Sequence, residues 1–118
     1  HEHHDPIPMG ARVGDLYCSS GVSGVNTGGP DKLEPVEGVI GQSHHGLLNI
    51  KALVEAGGGT IEDIGHVTVL IQDWNDLPLV DAAWQEMFPD PSRCPARQIM
   101  RLGAQRAQRA QFHFVAVL

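Results

Sequence analysis

Apolar positions along the chain recur with a helical period in two segments. Over about residues 36–56 they recur three or four positions apart, or at sums of these spacings, which predicts an amphipathic helix. A second helix is predicted after the polar corner at residues 73–76, and the prolines at 89 and 91 end it. The first stripe consists of Val36, Val39, Ile40, Leu47, Ile50, Leu53 and Val54, and the second of Leu77, Val80, Trp84, Met87 and Phe88.

Shorter apolar segments predict β-strands. A turn at Gly14-Asp15 separates two short segments, and this arrangement is typical of a β-hairpin. Residues 67–71 are rich in β-branched side chains, which favours a buried strand. Residues 24–35 are dense in Gly, Pro, Asn and Asp, which predicts a loop. The predicted strands are 11–13, 16–18, 67–71, about 97–102 and about 111–118.

The order of these elements is strand, strand, helix, strand, helix, strand, strand. It predicts an α+β fold in which one mixed sheet carries two helices packed on one face. The opposite face of the sheet must also meet something apolar, and the chain supplies no third layer. We therefore expect the protein to form oligomers through that face.

Composition narrows the class of protein. A chain of 118 residues, 42% hydrophobic and 19% charged, is expected to form a single globular domain over residues 1–118, with residues 1–6 as a mobile tail. The net charge of −6 disfavours a nucleic-acid partner. We expect no membrane span, because no apolar run reaches the roughly 18–20 residues that a span needs. We also expect no signal peptide, because the first 30 residues lack an apolar signal-peptide core. The two cysteines favour reduced thiols and a cytoplasmic location.

The segment Cys94-Pro95-Ala96-Arg97 carries the clearest candidate for binding chemistry. Pro95 restricts the backbone just before a predicted strand, so an arginine at the start of that strand is held in place. The planar guanidinium of Arg97 matches a carboxylate ligand. An acidic neighbour within the same chain could equally be its partner. The spacing leaves both interpretations open.

Other reactive residue types form no recognisable site. Cys18 and Cys94 have no Cys-His-Asn pattern near them, and buried thiols are the commoner case. His44 and His45 are adjacent on the first helix and so face different directions, unlike an i, i+4 pair of metal ligands. Trp74 and Trp84 are interpreted as packing residues, and the histidines at positions 1, 3 and 4 as part of the tail. No metal site is predicted.

Several short segments, weak singly, together resemble one known family. They are Arg12-Val13-Gly14-Asp15-Leu16, Ser19-Ser20-Gly21, residues 48–57 (LNIKALVEAG), Val67-Thr68-Val69, Asp73-Trp74-Asn75-Asp76, Met87-Phe88-Pro89, Pro95-Ala96-Arg97 and Phe114-Val115-Ala116-Val117. In this order, over nearly the whole chain, they resemble the reactive-intermediate deaminase family (Rid, also called YjgF-like). The resemblance implies a chorismate-mutase-like fold and a homotrimer with three clefts between subunits. It also implies hydrolysis of reactive 2-imino or enamine acids to 2-keto acids and ammonia, without metal or cofactor.

The resemblance also assigns residues to a substrate site. The family's carboxylate-binding arginine falls on Arg97, and its substrate-facing Ser-Gly pair falls on Ser20 and Gly21. Backbone groups near Gly21 and Cys94 are expected to help place substrate and water. Two positions depart from the family pattern. An aromatic residue near the cleft is replaced by Ile7, and an asparagine on the second helix is replaced by Asp81.

A further departure concerns the family's late glutamate, which is thought to orient water. No glutamate stands there, and Gln111 and His113 compete for its place. Both lie on one face of the predicted strand, with Phe112 and Phe114 on the other. Histidine could transfer a proton near neutral pH, whereas glutamine could only orient water. His113 could also be a half-buried residue at the sheet edge.

These departures keep more than one function open. The first hypothesis is an imine or enamine deaminase, and its alternative is a non-catalytic trimer of the same fold that binds small carboxylates or regulates. An RNA-cleaving role, a label that some family members carry, is disfavoured by the net charge and by the lack of interleaved aromatic residues.

Overall fold

The computed structural model describes residues 9–23, 25–26, 34–35, 38–101 and 110–118. Two α-helices lie in this part of the chain, α1 (Val39–Ala56) and α2 (Leu77–Met87), with 3-10 turns at Ile61–Asp63 and Trp74–Asp76. Its strands are β1 (Gly10–Val13), β2 (Leu16–Ser19), β3 (Val22–Ser23), β4 (Val25–Asn26), β5 (Glu34–Pro35), β6 (Ile64–Ile71), β7 (Ala96–Arg101) and β8 (Ala110–Val117). The expected mobile tail, residues 1–6, lies outside the described residues.

One mixed sheet organises the fold. Its strands lie in the order β1-β2-β8-β6-β7, and β3 pairs with β8 beyond the end of β2. The β6–β7 pair is parallel, whereas the pairs that β8 makes with β2, β3 and β6 are antiparallel. The predicted α+β architecture with one mixed sheet and two helices is therefore confirmed. The short strands β3, β4 and β5 were not predicted, and β4 and β5 lie within the segment expected to be a loop.

The hydrophobic core lies between the two helices and one face of the sheet. Alternate side chains of β6 and β8 point into it, and those of α1 and α2 meet them from the other side. Its most deeply buried large members include Phe112, Phe114, Val67, Val69, Ile71, Leu47, Ile50, Val54 and Val80. Ile40, expected on the buried stripe of α1, is instead 55% exposed, because it lies near the start of the helix on its outer side.

Local sequence signals set the ends of the helices. α1 begins directly after Gly38, whose φ of 78° favours glycine, and ends at Gly57. The predicted residues 36 and 37 of this helix lie outside the described part of the chain. Pro78 occupies the first turn of α2, where its missing N–H costs no helical hydrogen bond, and Pro89 follows the helix end.

The face of the sheet opposite the helices bears exposed apolar side chains. In β1, β2, β7 and β8 they belong to residues that alternate with the core positions. They are Val13, Leu16, Met100, Val115 and Val117. We call this surface the open face. Its apolar character agrees with the expectation that the sheet needs a further layer.

Among the described residues, no helix is both long enough and apolar enough to cross a bilayer.

Candidate active site

Arg97 lies near the start of β7, on the helix side of the sheet. Its register partner in β6 is the buried Val67, and its side chain meets α2. Nη1 of Arg97 donates a hydrogen bond of 2.7 Å to Oδ1 of Asp81. The two side chains are 25% and 37% exposed, so the pair is partly shielded and still open to solvent.

Trp84 covers one side of this guanidinium. The guanidinium carbon lies 5.0 Å from the centre of the Trp84 ring, a distance suited to a cation–π interaction. The ring is buried and packs on Phe88, with 4.6 Å between ring centres. Sequence reasoning assigned Trp84 to packing alone. Its position three residues after Asp81 on one helix face was the signal for the second role. We call Arg97, Asp81 and Trp84 the arginine half-site.

The turn before β7 is closed by Asp90. Oδ1 of Asp90 accepts hydrogen bonds from the Ser92 hydroxyl at 2.7 Å and from the Ser92 backbone N–H at 2.9 Å. These bonds lower the pKa of Asp90 below its ordinary value. The thiol of Cys94, half-buried at the end of the same turn, donates to the carbonyl oxygen of Pro91 at 3.3 Å. Cys94 therefore lies close to Arg97 in the chain, with its thiol turned back on the loop.

A β-bulge lies where β8 pairs with β2 and β3, on the side of β8 away from β6. The β2–β8 ladder ends at the pair Cys18–Val115, and the β3–β8 ladder resumes at Val22–Phe112. Three residues, 19–21, therefore lie opposite two, 113–114, which is the pattern of a bulge. The hydroxyl of Ser19 accepts a hydrogen bond of 2.9 Å from the Phe114 N–H, so this backbone donor is satisfied where the ladder is interrupted.

Gln111 and His113 lie beside this bulge. They alternate with the buried Phe112 and Phe114, so they project from the open face and are half-buried. A Cβ built on Gly21 would lie 3.5 Å from Oε1 of Gln111, which places the glycine backbone next to that amide. The backbone N–H of Ser20 donates to the Met9 carbonyl at 2.8 Å and so ties the bulge to the chain before β1. We call Ser20, Gly21, Gln111 and His113 the bulge half-site.

The two half-sites do not converge within one chain. Arg97, Val67 and Phe114 form one row across β7, β6 and β8, and this row faces the helices. Gln111 and His113 face the opposite way, from a strand that lies about 10 Å from β7 at the usual strand spacing. The structure thus brings Arg97 together with Asp81, and Gln111 with Gly21, but it does not bring these groups together. Ile7 lies outside the described residues.

The remaining candidates show no catalytic arrangement. Both cysteines are free thiols, but Cys18 is exposed, so the expectation of burial is wrong for that residue because it lies on the open face. Trp74 is 52% exposed and is not a core residue, since it lies in the 3-10 turn before α2. His44 lies 3.3 Å from Glu86, and His45 is exposed. Within the described ranges, no group of three or more metal-binding side chains occurs.

Comparison with known proteins identifies the family. A family model described as endoribonuclease L-PSP matches residues 8–112. The chain belongs to this family. The L-PSP family includes the YjgF-like proteins, so the resemblance seen in the sequence is confirmed.

Individual L-PSP relatives are similar over most of the chain. The 2-iminobutanoate/2-iminopropanoate deaminase of Escherichia coli K12 is 33% identical over 98 residues, which cover 82% of this chain and 74% of the relative. The protein of the same description from Dermatophagoides farinae is 32% identical, covering 78% of this chain and 69% of its own.

Solved structures of the family share the fold. The E. coli yjgF gene product superposes with a TM-score of 0.82 at 30% identity, covering 95% of this chain and 87% of its own. E. coli TdcF, solved with bound serine, superposes with a TM-score of 0.86 at 25% identity, covering 98% of this chain and 91% of its own.

Proposed function

We propose that this protein hydrolyses reactive 2-imino and enamine acids to 2-keto acids and ammonia, in clefts between the subunits of a homotrimer. The observation that carries the proposal is the division of the site. The helix side of the sheet holds a guanidinium suited to binding a carboxylate, and the open face holds groups suited to placing water. Neither half-site is sufficient alone, and contact between neighbouring protomers would bring one half-site against the other.

The arginine half-site supplies the binding of substrate. Its guanidinium is held on one side by Asp81 and covered on another by Trp84, so little freedom is lost when a ligand binds. A guanidinium carries five N–H donors, and Asp81 engages Nη1. A substrate carboxylate could therefore bind at another edge. Contact with a second protomer would exclude water there and strengthen the pairing.

The bulge half-site places the water that attacks the substrate. Hydrolysis adds H₂O across the C=N bond to give a carbinolamine, and loss of NH₃ then leaves the keto group. The sum of imine and water therefore equals that of keto acid and ammonia, with no change of oxidation state. The Gln111 amide can orient the attacking water, and the His113 imidazole can carry the proton from water to the leaving nitrogen. An enamine first tautomerises to the imine.

The open face favours the assembly that this mechanism needs. Its exposed side chains include Leu16, Val115 and Val117, which are costly to leave in water. Gln111 and His113 belong to the same face, so burial of its apolar part against a neighbour would bring the bulge half-site to a subunit boundary.

Similar proteins support this choice of reaction. The relatives that are 32–33% identical are described as deaminases of small 2-imino acids, and TdcF was solved with an amino acid bound. An RNA substrate, although the family description names an endoribonuclease, is disfavoured by the net charge of −6.

The deciding experiment replaces Arg97. Imino acids are generated freshly by an amino-acid oxidase, and the rate of 2-keto acid formation is measured with and without the protein. Arg97→Ala is expected to abolish the protein-dependent rate while light scattering still reports three times the 12.7 kDa chain mass. Arg93→Ala is the matched control, because Arg93 is an exposed arginine just before β7 that pairs with Glu62. Equal rates for wild type and Arg97→Ala would contradict the proposal.

A second candidate is a trimer of the same fold that binds small carboxylates without turning them over. It is favoured by the absence of a glutamate from β8, where Gln111 and His113 project instead. Calorimetry with 2-keto acids separates the two candidates. Binding that depends on Arg97, combined with no acceleration of imine hydrolysis, would support the second.

A further inference from the structure

The arginine half-site carries an acid of its own. Asp81 lies within 2.7 Å of Nη1 of Arg97, and its side chain is 37% exposed. Because the two groups form an ion pair, together they carry no net charge. The half-site therefore differs from a lone arginine, which would attract any small anion.

This pairing changes which ligands the half-site prefers. A plain monocarboxylate that approaches the guanidinium also meets the negative charge of Asp81. A ligand with a positive nitrogen next to its carboxylate meets an opposite charge at both ends. A carboxylate can accept about four hydrogen bonds, so Asp81 has the capacity to bind an N–H donor as well as Nη1.

We propose that Asp81 is a specificity-determining residue that makes the half-site favour zwitterionic 2-imino or 2-amino acids over plain carboxylates. This inference rests on the proposed function. The protonated imine of a 2-imino acid is a zwitterion, whereas the 2-keto acid product is only an anion. Asp81 therefore favours substrate over product and promotes release of the keto acid.

The test compares two ligands that differ mainly in the nitrogen. Binding of 2-aminobutanoate, a zwitterion, and of 2-oxobutanoate, an anion, is measured by calorimetry on the assembled protein. Asp81→Asn keeps the size of the side chain and an oxygen that accepts from Nη1, so it removes mainly the charge. Glu86→Gln makes the same charge change on the same helix, on an exposed side chain that pairs with His44.

We expect the wild type to prefer 2-aminobutanoate, and Asp81→Asn to lower that preference by about fivefold or more. Glu86→Gln is expected to leave it unchanged. In turnover assays, Asp81→Asn should strengthen inhibition by 2-oxobutanoate more than it changes the KM for the imine.

An unchanged preference in Asp81→Asn would overturn the role of Asp81. The proposed function would survive that result if Arg97→Ala still abolished binding and turnover. Wild-type affinity for both ligands that persists in Arg97→Ala would overturn both proposals together.

Discussion

The two half-sites differ in how much of their geometry a single chain provides. The arginine half-site is held by a buried tryptophan and by a carboxylate at 2.7 Å, both on α2. The bulge half-site lies at an interruption of the sheet ladder, and its side chains project from the open face.

This difference corresponds to the tasks that we assign to the two regions. A charged group binds a small ligand well when packing has already restricted its motion. Placement of water needs hydrogen-bonding groups close to backbone that is not occupied by strand pairing, and a bulge provides such backbone. Each protomer would contribute one region to each of two clefts.

The largest expected effect comes from a test of this division. Arg97→Ala and the double variant Gln111→Ala/His113→Ala are each expected to be inactive. Equal amounts of the two variants are then unfolded and refolded together. Random mixing gives about a quarter of the clefts an intact Arg97 from one chain and intact Gln111 and His113 from the other. Activity should therefore return to about a quarter of the wild-type value, as measured by imine hydrolysis.

The control for this mixing is a chain that carries all three substitutions. Refolded with Arg97→Ala, it provides no intact Arg97, so no activity should return. Native mass spectrometry can show whether the two variants, each altered in one half-site, form mixed trimers. If such mixed trimers form and remain inactive, the proposed division of the site between protomers is wrong.

The elements of the fold could be predicted because their signals are local. The 3.6-residue period of α2, followed by the prolines at 89 and 91, predicts the ends of this helix to within a residue. The alternation of β8 likewise puts Phe112 and Phe114 on one face and Gln111 and His113 on the other, and the structure shows that the phenylalanines face the core.

The division of the site could not be predicted in the same way. The residues of β7 do not alternate between apolar and polar, so the sequence does not tell which face Arg97 occupies. That face depends on the parallel register with β6, a non-local property. Arg97 and Asp81 lie 16 positions apart in the chain, on β7 and α2, and the spacing alone did not predict that they pair. The three-against-two bulge requires the pairing of β8 with both β2 and β3.

The next largest effect should distinguish the two tryptophans. Trp84→Ala is expected to lower the free energy of unfolding by about 3–5 kcal/mol, because it empties a buried site. Trp74→Ala, at a position 52% exposed, should cost about 0.5 kcal/mol or less. Urea unfolding followed by circular dichroism measures both.

Trp84→Phe tests the contact between the Trp84 ring and the Arg97 guanidinium. It keeps an aromatic ring against Phe88 and weakens the contact with the guanidinium, so the KM for imino acids should rise a few-fold. An unchanged KM in Trp84→Phe would contradict the proposed role of this contact in substrate binding.

The smallest expected effect concerns the turn before β7, which belongs to the arginine side of the comparison. The Ser92 hydroxyl makes the main contribution to the lowered pKa of Asp90, with the Ser92 N–H next and Arg93 contributing less. Ser92→Ala should therefore raise that pKa toward its ordinary value, and Arg93→Ala should raise it less, as followed by NMR titration.

A lowered folded-state pKa of Asp90 stabilises the fold at neutral pH, and this contribution is lost as the pH falls through that pKa. The stabilisation by Asp90 should thus shrink in Ser92→Ala, while imine turnover at neutral pH stays unchanged because Asp90 is ionised in both proteins. A pKa that stays equally low in Ser92→Ala would assign the shift to another group, and altered turnover would show that this turn positions Arg97.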